Sequence, residues 1–168
     1  MLTDYEFTRN YLLSALEGAP ELLRRMLAGA RVEEMEYRPD SDRFTIREVI
    51  AHLADWEEIW LKRMTLTKTE HEPLLASIDV GQLAIDHDYT RRDVVEQLRL
   101  FSVRREALMG FLKGLARTEW TRIAVRPDIG RLTMENLAVL VTLHDTYHVR
   151  QVAEWRERFV GRDAGRNG

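Results

Sequence analysis

Apolar residues recur along this chain at steps of three and four, and no stretch sustains the two-residue alternation of a half-buried strand. Four segments carry the helical period. In the first, about residues 3 to 28, Tyr5, Thr8, Leu12, Ala15, Ala19, Leu22 and Met26 form one stripe. Pro20 lies inside it and predicts a kink, or a restart with Pro20 in the first turn. The polar stretch Ala30 to Phe44 reads as a connection. The second segment opens on Thr45-Ile46-Arg47-Glu48, a capping box, and runs to about Thr67 with Ile46, Val49, Leu53, Trp56, Trp60 and Met64 inward. A connection over about residues 68 to 89 follows, far longer than the ~2–8 residues usual between bundle helices, so it crosses over or covers something.

Thr90 is expected to cap the third helix, with Val94, Leu98, Phe101, Leu108 and Leu112 inward and Gly114 as its stop. Arg126-Pro127-Asp128-Ile129-Gly130 is a turn signal. The fourth helix is expected from near Thr133 to about Val160. Four long amphipathic helices without credible strands give an all-α fold, a four-helix bundle with a long connection between helices 2 and 3. Residues 1–160 form one domain on this reading, and 161–168 a flexible C-terminal tail.

Composition narrows the function classes. At 168 residues, 45% hydrophobic and 32% charged, the chain can bury a core and is not wholly disordered. Its charge is −3, and its 22 Arg and 3 Lys are scattered among acids, which argues against nucleic-acid binding. With no Cys, disulfides, thiolate ligands and a catalytic cysteine are excluded. The opening MLTDYEFTRNYLL lacks the basic region of a signal peptide, and no apolar run approaches the ~18–20 residues of a membrane span. The expected setting is cytoplasmic, with no membrane partner.

The chemistry lies in the apolar stripes. At ~100° per residue, His148 falls about 40° from His144 and Gln151 about 20° to its other side, among Leu137, Leu140, Val141, Val152, Trp155 and Phe159. Histidines four apart stand one above the other and can share a divalent ion. His52 sits likewise among Val49, Trp56, Ile59 and Trp60. A lone core histidine is usually just hydrogen-bonded, but three buried imidazoles are hard to satisfy separately. Three nitrogens plus water make an open, catalytic type of site.

Around this centre, Gln151 could fix the tautomer of a ligating imidazole, and Asp55 or Asp145 could orient a ligand. For Asp55, a solvated acid near the helix start is the plainer reading. Arg105 interrupts the third stripe and reads as a snorkelling side chain, and Trp56, Trp60 and Trp155 as core. His71 and His87 read as exposed loop histidines. The segment HDTYH lacks the Glu of the H-E-x-x-H pattern, no Glu-x-x-His pair is present, and no phosphate-cradling glycine loop occurs.

FTIREVIAHLADWE (Phe44 to Glu57) and LTMENLAVLVTLHDTYHVRQVAEW (Leu132 to Trp155) resemble the DinB/YfiT-like family of metalloenzymes, unrelated to the polymerase of the same name. The resemblance implies a four-helix bundle, often a homodimer, that binds a divalent ion such as zinc or nickel through His52, His144 and His148. Relatives include thiol-S-transferases and an isomerase that use a low-molecular-weight thiol. In such chemistry the ion lowers the pKa of a bound thiol or water. The expected function is therefore a metal-dependent transferase or hydrolase acting on a small-molecule substrate. The alternative is a non-catalytic dimeric metal-binding or stress-response bundle, whose site a fourth protein ligand such as Asp55 or His87 would close.

Overall fold

The computed structural model describes residues 1–164; of the expected tail at 161–168, residues 161–164 are helical and 165–168 lie outside the described residues. Six α-helices dominate: α1 (Glu6–Met26), α2 (Val32–Met35), α3 (Ile46–Thr69), α4 (Val80–Asp86), α5 (Val94–Lys113) and α6 (Met134–Ala164). The four long ones form the all-α bundle. α3 packs on α5 and α6, and α1 packs on the same two from the opposite side, so α1 and α3 are diagonal. Among the described residues, no helix is long and apolar enough to cross a membrane.

The capping box at Thr45 is formed in both directions: Thr45 Oγ1 accepts from the Glu48 amide, and Glu48 accepts from the Thr45 amide. α6 begins by the same device, with Thr133 and Asn136 exchanging hydrogen bonds of 3.0 and 3.1 Å. It continues to Ala164, past the expected end near Val160.

Three expectations are corrected. The buried face of α1 is Leu16, Ala19, Pro20 and Leu23, leading to Leu27, while Tyr5 and Leu22 are exposed. Doubled leucines at 12–13 and 22–23 let the stripe be drawn one residue out of register, and the more apolar version wins burial. α5 is capped by Asp93, whose carboxylate accepts from the Glu96 amide, whereas Thr90 lies in a short 3₁₀ turn. The chain also has a hairpin, β1 (Ile123–Arg126) with β2 (Gly130–Thr133), antiparallel with Arg126 opposite Gly130. Its three-residue loop needs positive φ at Gly130, which adopts +96°. Such a hairpin is marginal alone. Here Leu74 and Val125 form a second pairing, and Ala124 and Leu132 are buried.

The long connection does cover something. It is tied to the hairpin at Leu75 and to α3 through His87, and between them Val80 and Gly81 of α4 form part of a cavity wall.

The core is two apolar clusters, one around Trp60, Met64, Leu108 and Val141, the other around Ile50, Phe101, Val152 and Trp155. Between them in sequence, on α3, α5 and α6, fall His52, Glu57, Arg105, His144, Asp145 and His148. A polar layer thus crosses the bundle at mid-height.

Candidate metal centre

His52 is carried by α3, about two turns past its cap; His144 and His148 are carried by α6, on successive turns. Because both helices turn these positions inward, one ligand nitrogen from each imidazole falls within 4.8 Å of the others. The Nε2 atoms of His52 and His144 are 2.8 Å apart, and the three ring centroids are 4.7 to 4.9 Å from one another. Two nitrogens held tetrahedrally by one zinc at ~2.0–2.1 Å lie about 3.3 Å apart, so modest side-chain adjustment brings the set to coordination distance.

The electrostatics favour neutral rings. Burial pushes His52 well below the usual histidine value, with His144 and His148 adding to it. Burial and His148 push His144 down to about 3. Burial also lowers His148, to about 4, against the opposing hydrogen bond that Gln151 Oε1 accepts from it. Neutral imidazole is the form that binds metal.

Gln151 links this cluster to the backbone. Its Oε1 lies 3.2 Å from His148 Nδ1, and its Nε2 donates to the Phe44 carbonyl at 2.8 Å. Donation from Nδ1 leaves His148 Nε2 with its lone pair free. Trp155 Nε1 donates to the same carbonyl at 2.8 Å, so Trp155 is core with a polar handle. His52 Nδ1, by contrast, is buried without a partner. Paired Nε2 atoms and an orphaned Nδ1 are poorly satisfied by protein alone, and a cation shared among the three rings fits this donor set.

The carboxylates lie elsewhere. Asp55 accepts from Arg104 at 3.0 Å and pairs with His87 Nδ1 at 2.5 Å. Asp145 accepts from Arg105 at 2.8 Å. Neither is hydrogen-bonded to an imidazole of the cluster. Among the described residues, no fourth histidine or carboxylate joins the cluster. His71 is exposed, as expected.

The cluster borders a cavity of about 500 Å³, walled also by Phe44, Trp56, Val80, Gly81 and Tyr147. Trp56 therefore serves core and cavity together. Arg43 and Tyr147 were not apparent as site residues. The available signal was that Gln151 and Trp155, four apart on one buried face, both need an acceptor, which fixes the Phe44 segment beside the site.

Arg105 is corrected outright. It does not snorkel but is 2% exposed, donating to Glu57, Asp145 and the Leu16 carbonyl. Burial raises both carboxyls above their usual range despite the guanidinium beside them.

This geometry agrees with what the chain is similar to. YfiT from Bacillus subtilis, described as "a probable metal-dependent hydrolase with an unusual four-helix bundle topology", superposes with a TM-score of 0.86 over 92% of this chain and 89% of its own, at 22% identity. A protein of Oceanobacillus iheyensis named "Putative metal-dependent hydrolase" is 24% identical over 89% of this chain and 86% of its own length. One of the same name from Geobacillus kaustophilus is 24% identical over 87% and 83%. The model of the DinB superfamily matches residues 15–152, a span that contains all three histidines and all four long helices in whole or part. On that match, the chain belongs to the DinB superfamily.

Proposed function

We propose that His52, His144 and His148 hold one divalent metal ion, zinc or nickel, and that the protein is a metal-dependent hydrolase of a small molecule. The observation that carries this reading is three neutral imidazoles converging on an open cavity with no fourth protein ligand among the described residues. A structural site would be closed, whereas a catalytic one keeps a position for water or substrate. When bound, such an ion supplies Lewis acidity and makes a coordinated water acidic near neutral pH.

The chain's own residues supply the rest. Gln151 holds His148 in the tautomer that turns Nε2 to the cluster. Phe44 and Trp56 wall the cavity with ring surface, limiting bulk water and giving an apolar body something to lie against. The names of the relatives support hydrolysis over thiol transfer.

The test is metal content of untagged protein, alone and after reconstitution with zinc or nickel. About one ion per chain is expected, lost in both His52→Ala and His148→Ala. Wild-type protein that takes up neither metal removes the basis for the proposal.

A further inference from the structure

The cavity beside the imidazoles does not end at the bundle surface. A second one, about 730 Å³, runs on along α6, and the two share Arg43, Tyr147 and Gln151 as a common wall. Among the described residues, Arg43 is the only cationic side chain on the wall of the inner cavity. Its guanidinium lies 4.2 Å from the Trp155 ring and 5.9 Å from that of Tyr147. The segment that bears it is fixed, because the next carbonyl, that of Phe44, accepts from both Gln151 and Trp155. Gln151 in turn contacts His148, so guanidinium and imidazole belong to one rigid frame.

Arg43 has hydrogen bonds to spare. A guanidinium carries five N–H donors. The Glu154 ion pair, from Nη1 at 3.0 Å, and a hydrogen bond to Tyr147 engage it, and Nε is buried without a partner, so donors remain over. The Glu154 pair is also replaceable. Glu154 sits at the rim and simultaneously pairs with Arg158 at 2.7 Å, so it keeps a cation if Arg43 turns to another anion. A planar, stacked, pre-positioned guanidinium beside an apolar cavity is suited to binding an oxyanion.

We propose that Arg43 is the substrate-anchoring residue, and that the site takes a small organic molecule bearing a carboxylate or phosphate, with its flat apolar body against Phe44 and Trp56. The anion rests on Arg43 at the junction of the two cavities, and the reacting end faces the three imidazoles. This rests on the reading of the imidazole cluster as the reactive centre, but the anchor is testable without it.

Calorimetric titration with benzoate, phenyl phosphate and the neutral benzyl alcohol, on metal-free and zinc-loaded protein, reads the anchor directly. Both anions are expected to bind metal-free wild type at least tenfold more tightly than the alcohol. Arg43→Gln should abolish that preference with zinc uptake unchanged, and Arg43→Lys, which keeps charge but not the fork, should retain part of it. Glu154→Gln should tighten anion binding about two- to fivefold, the worth of one exposed ion pair. Benzoate against phenyl phosphate decides between carboxylate and phosphate. Anion binding in Arg43→Gln equal to wild type, or no anion preference in metal-free wild type, overturns the assignment. Failure to take up zinc while the Arg43 dependence persists would overturn the hydrolase reading alone.

Discussion

Two polar clusters share the middle of this bundle, and they are built on opposite principles. His144 and Asp145 are neighbours in sequence, yet each belongs to a different one. Asp145 joins Arg105, Glu57 and the Leu16 carbonyl in a network that draws on α1, α3, α5 and α6. That network is charged, deeply buried and gathered around one guanidinium, with Asp145 Oδ1 left without a hydrogen-bond partner. The three imidazoles are neutral, incompletely hydrogen-bonded and set against a cavity. A buried polar group costs about 1–3 kcal/mol when left without a partner. The first cluster avoids most of that cost internally, whereas the second carries it. Ion pairing among its own members marks a structural role for the first, and unpartnered neutral donors on a cavity wall mark a place for something else in the second.

Breaking the charged cluster should give the largest effect. Arg105→Met leaves Glu57 and Asp145 buried together without a cation, and the expected loss is about 3–5 kcal/mol, read as a lower urea midpoint. Replacing all three members by apolar residues, Arg105→Met with Glu57→Met and Asp145→Leu, should recover most of it, because a well-packed apolar substitute avoids desolvating charges. An Arg105→Met protein as stable as wild type would show that the network contributes nothing to the fold. The imidazoles should behave differently, since no apolar replacement restores metal uptake.

The next effect is one of pH on metal-free protein. Burial holds His148 near 4 and His144 near 3, and His52 well below its ordinary value. Unfolded, all three return to ~6.5. Between those limits the unfolded chain binds more protons, so their contribution is intact above ~6.5 and is lost as pH falls toward 4. Each histidine should remove up to ~1.4 kcal/mol per pH unit over that range. Glu57 and Asp145, raised by burial, act in the opposite sense. The comparison is therefore made with a His144→Ala/His148→Ala variant, which keeps both carboxyls. Urea midpoints at pH 7.5 and 5.5 should drop more in wild type than in that variant, and equal drops would contradict the neutral-imidazole picture.

What could be read in advance follows the same division. The Thr45 capping box and the His144–His148 pair are local, set by spacings of three and four, and both are in place. His52 could be placed because its own helix surrounds it with apolar neighbours. The Arg105 network could not, since Arg105 lies 40 and 48 positions from its carboxylate partners and each member alone looks like a solvated charge. The hairpin escaped because strands of four residues give too short a period, and it depends on Leu74, far away in sequence. Thr90 and Asp93 are both sound caps, and only the packed connection selects Asp93.

The smallest effect isolates how the open cluster is held. Gln151 makes two bonds, one to His148 and one to the Phe44 carbonyl, while Trp155 makes only the second. If Gln151 acts by fixing the His148 tautomer, Gln151→Leu should weaken zinc binding about 10–100-fold, the usual cost of removing a partner of a metal-bound imidazole. Trp155→Phe, which removes one donor from the same carbonyl, should leave zinc affinity unchanged within about twofold and cost only the ~1 kcal/mol of a lost hydrogen bond. Competition titrations with a zinc chelator separate the two. Equal losses in both variants would mean that the Phe44 carbonyl, as the anchor of the Arg43–Phe44 segment, positions the site. A loss confined to Gln151→Leu would assign that role to the amide oxygen on His148.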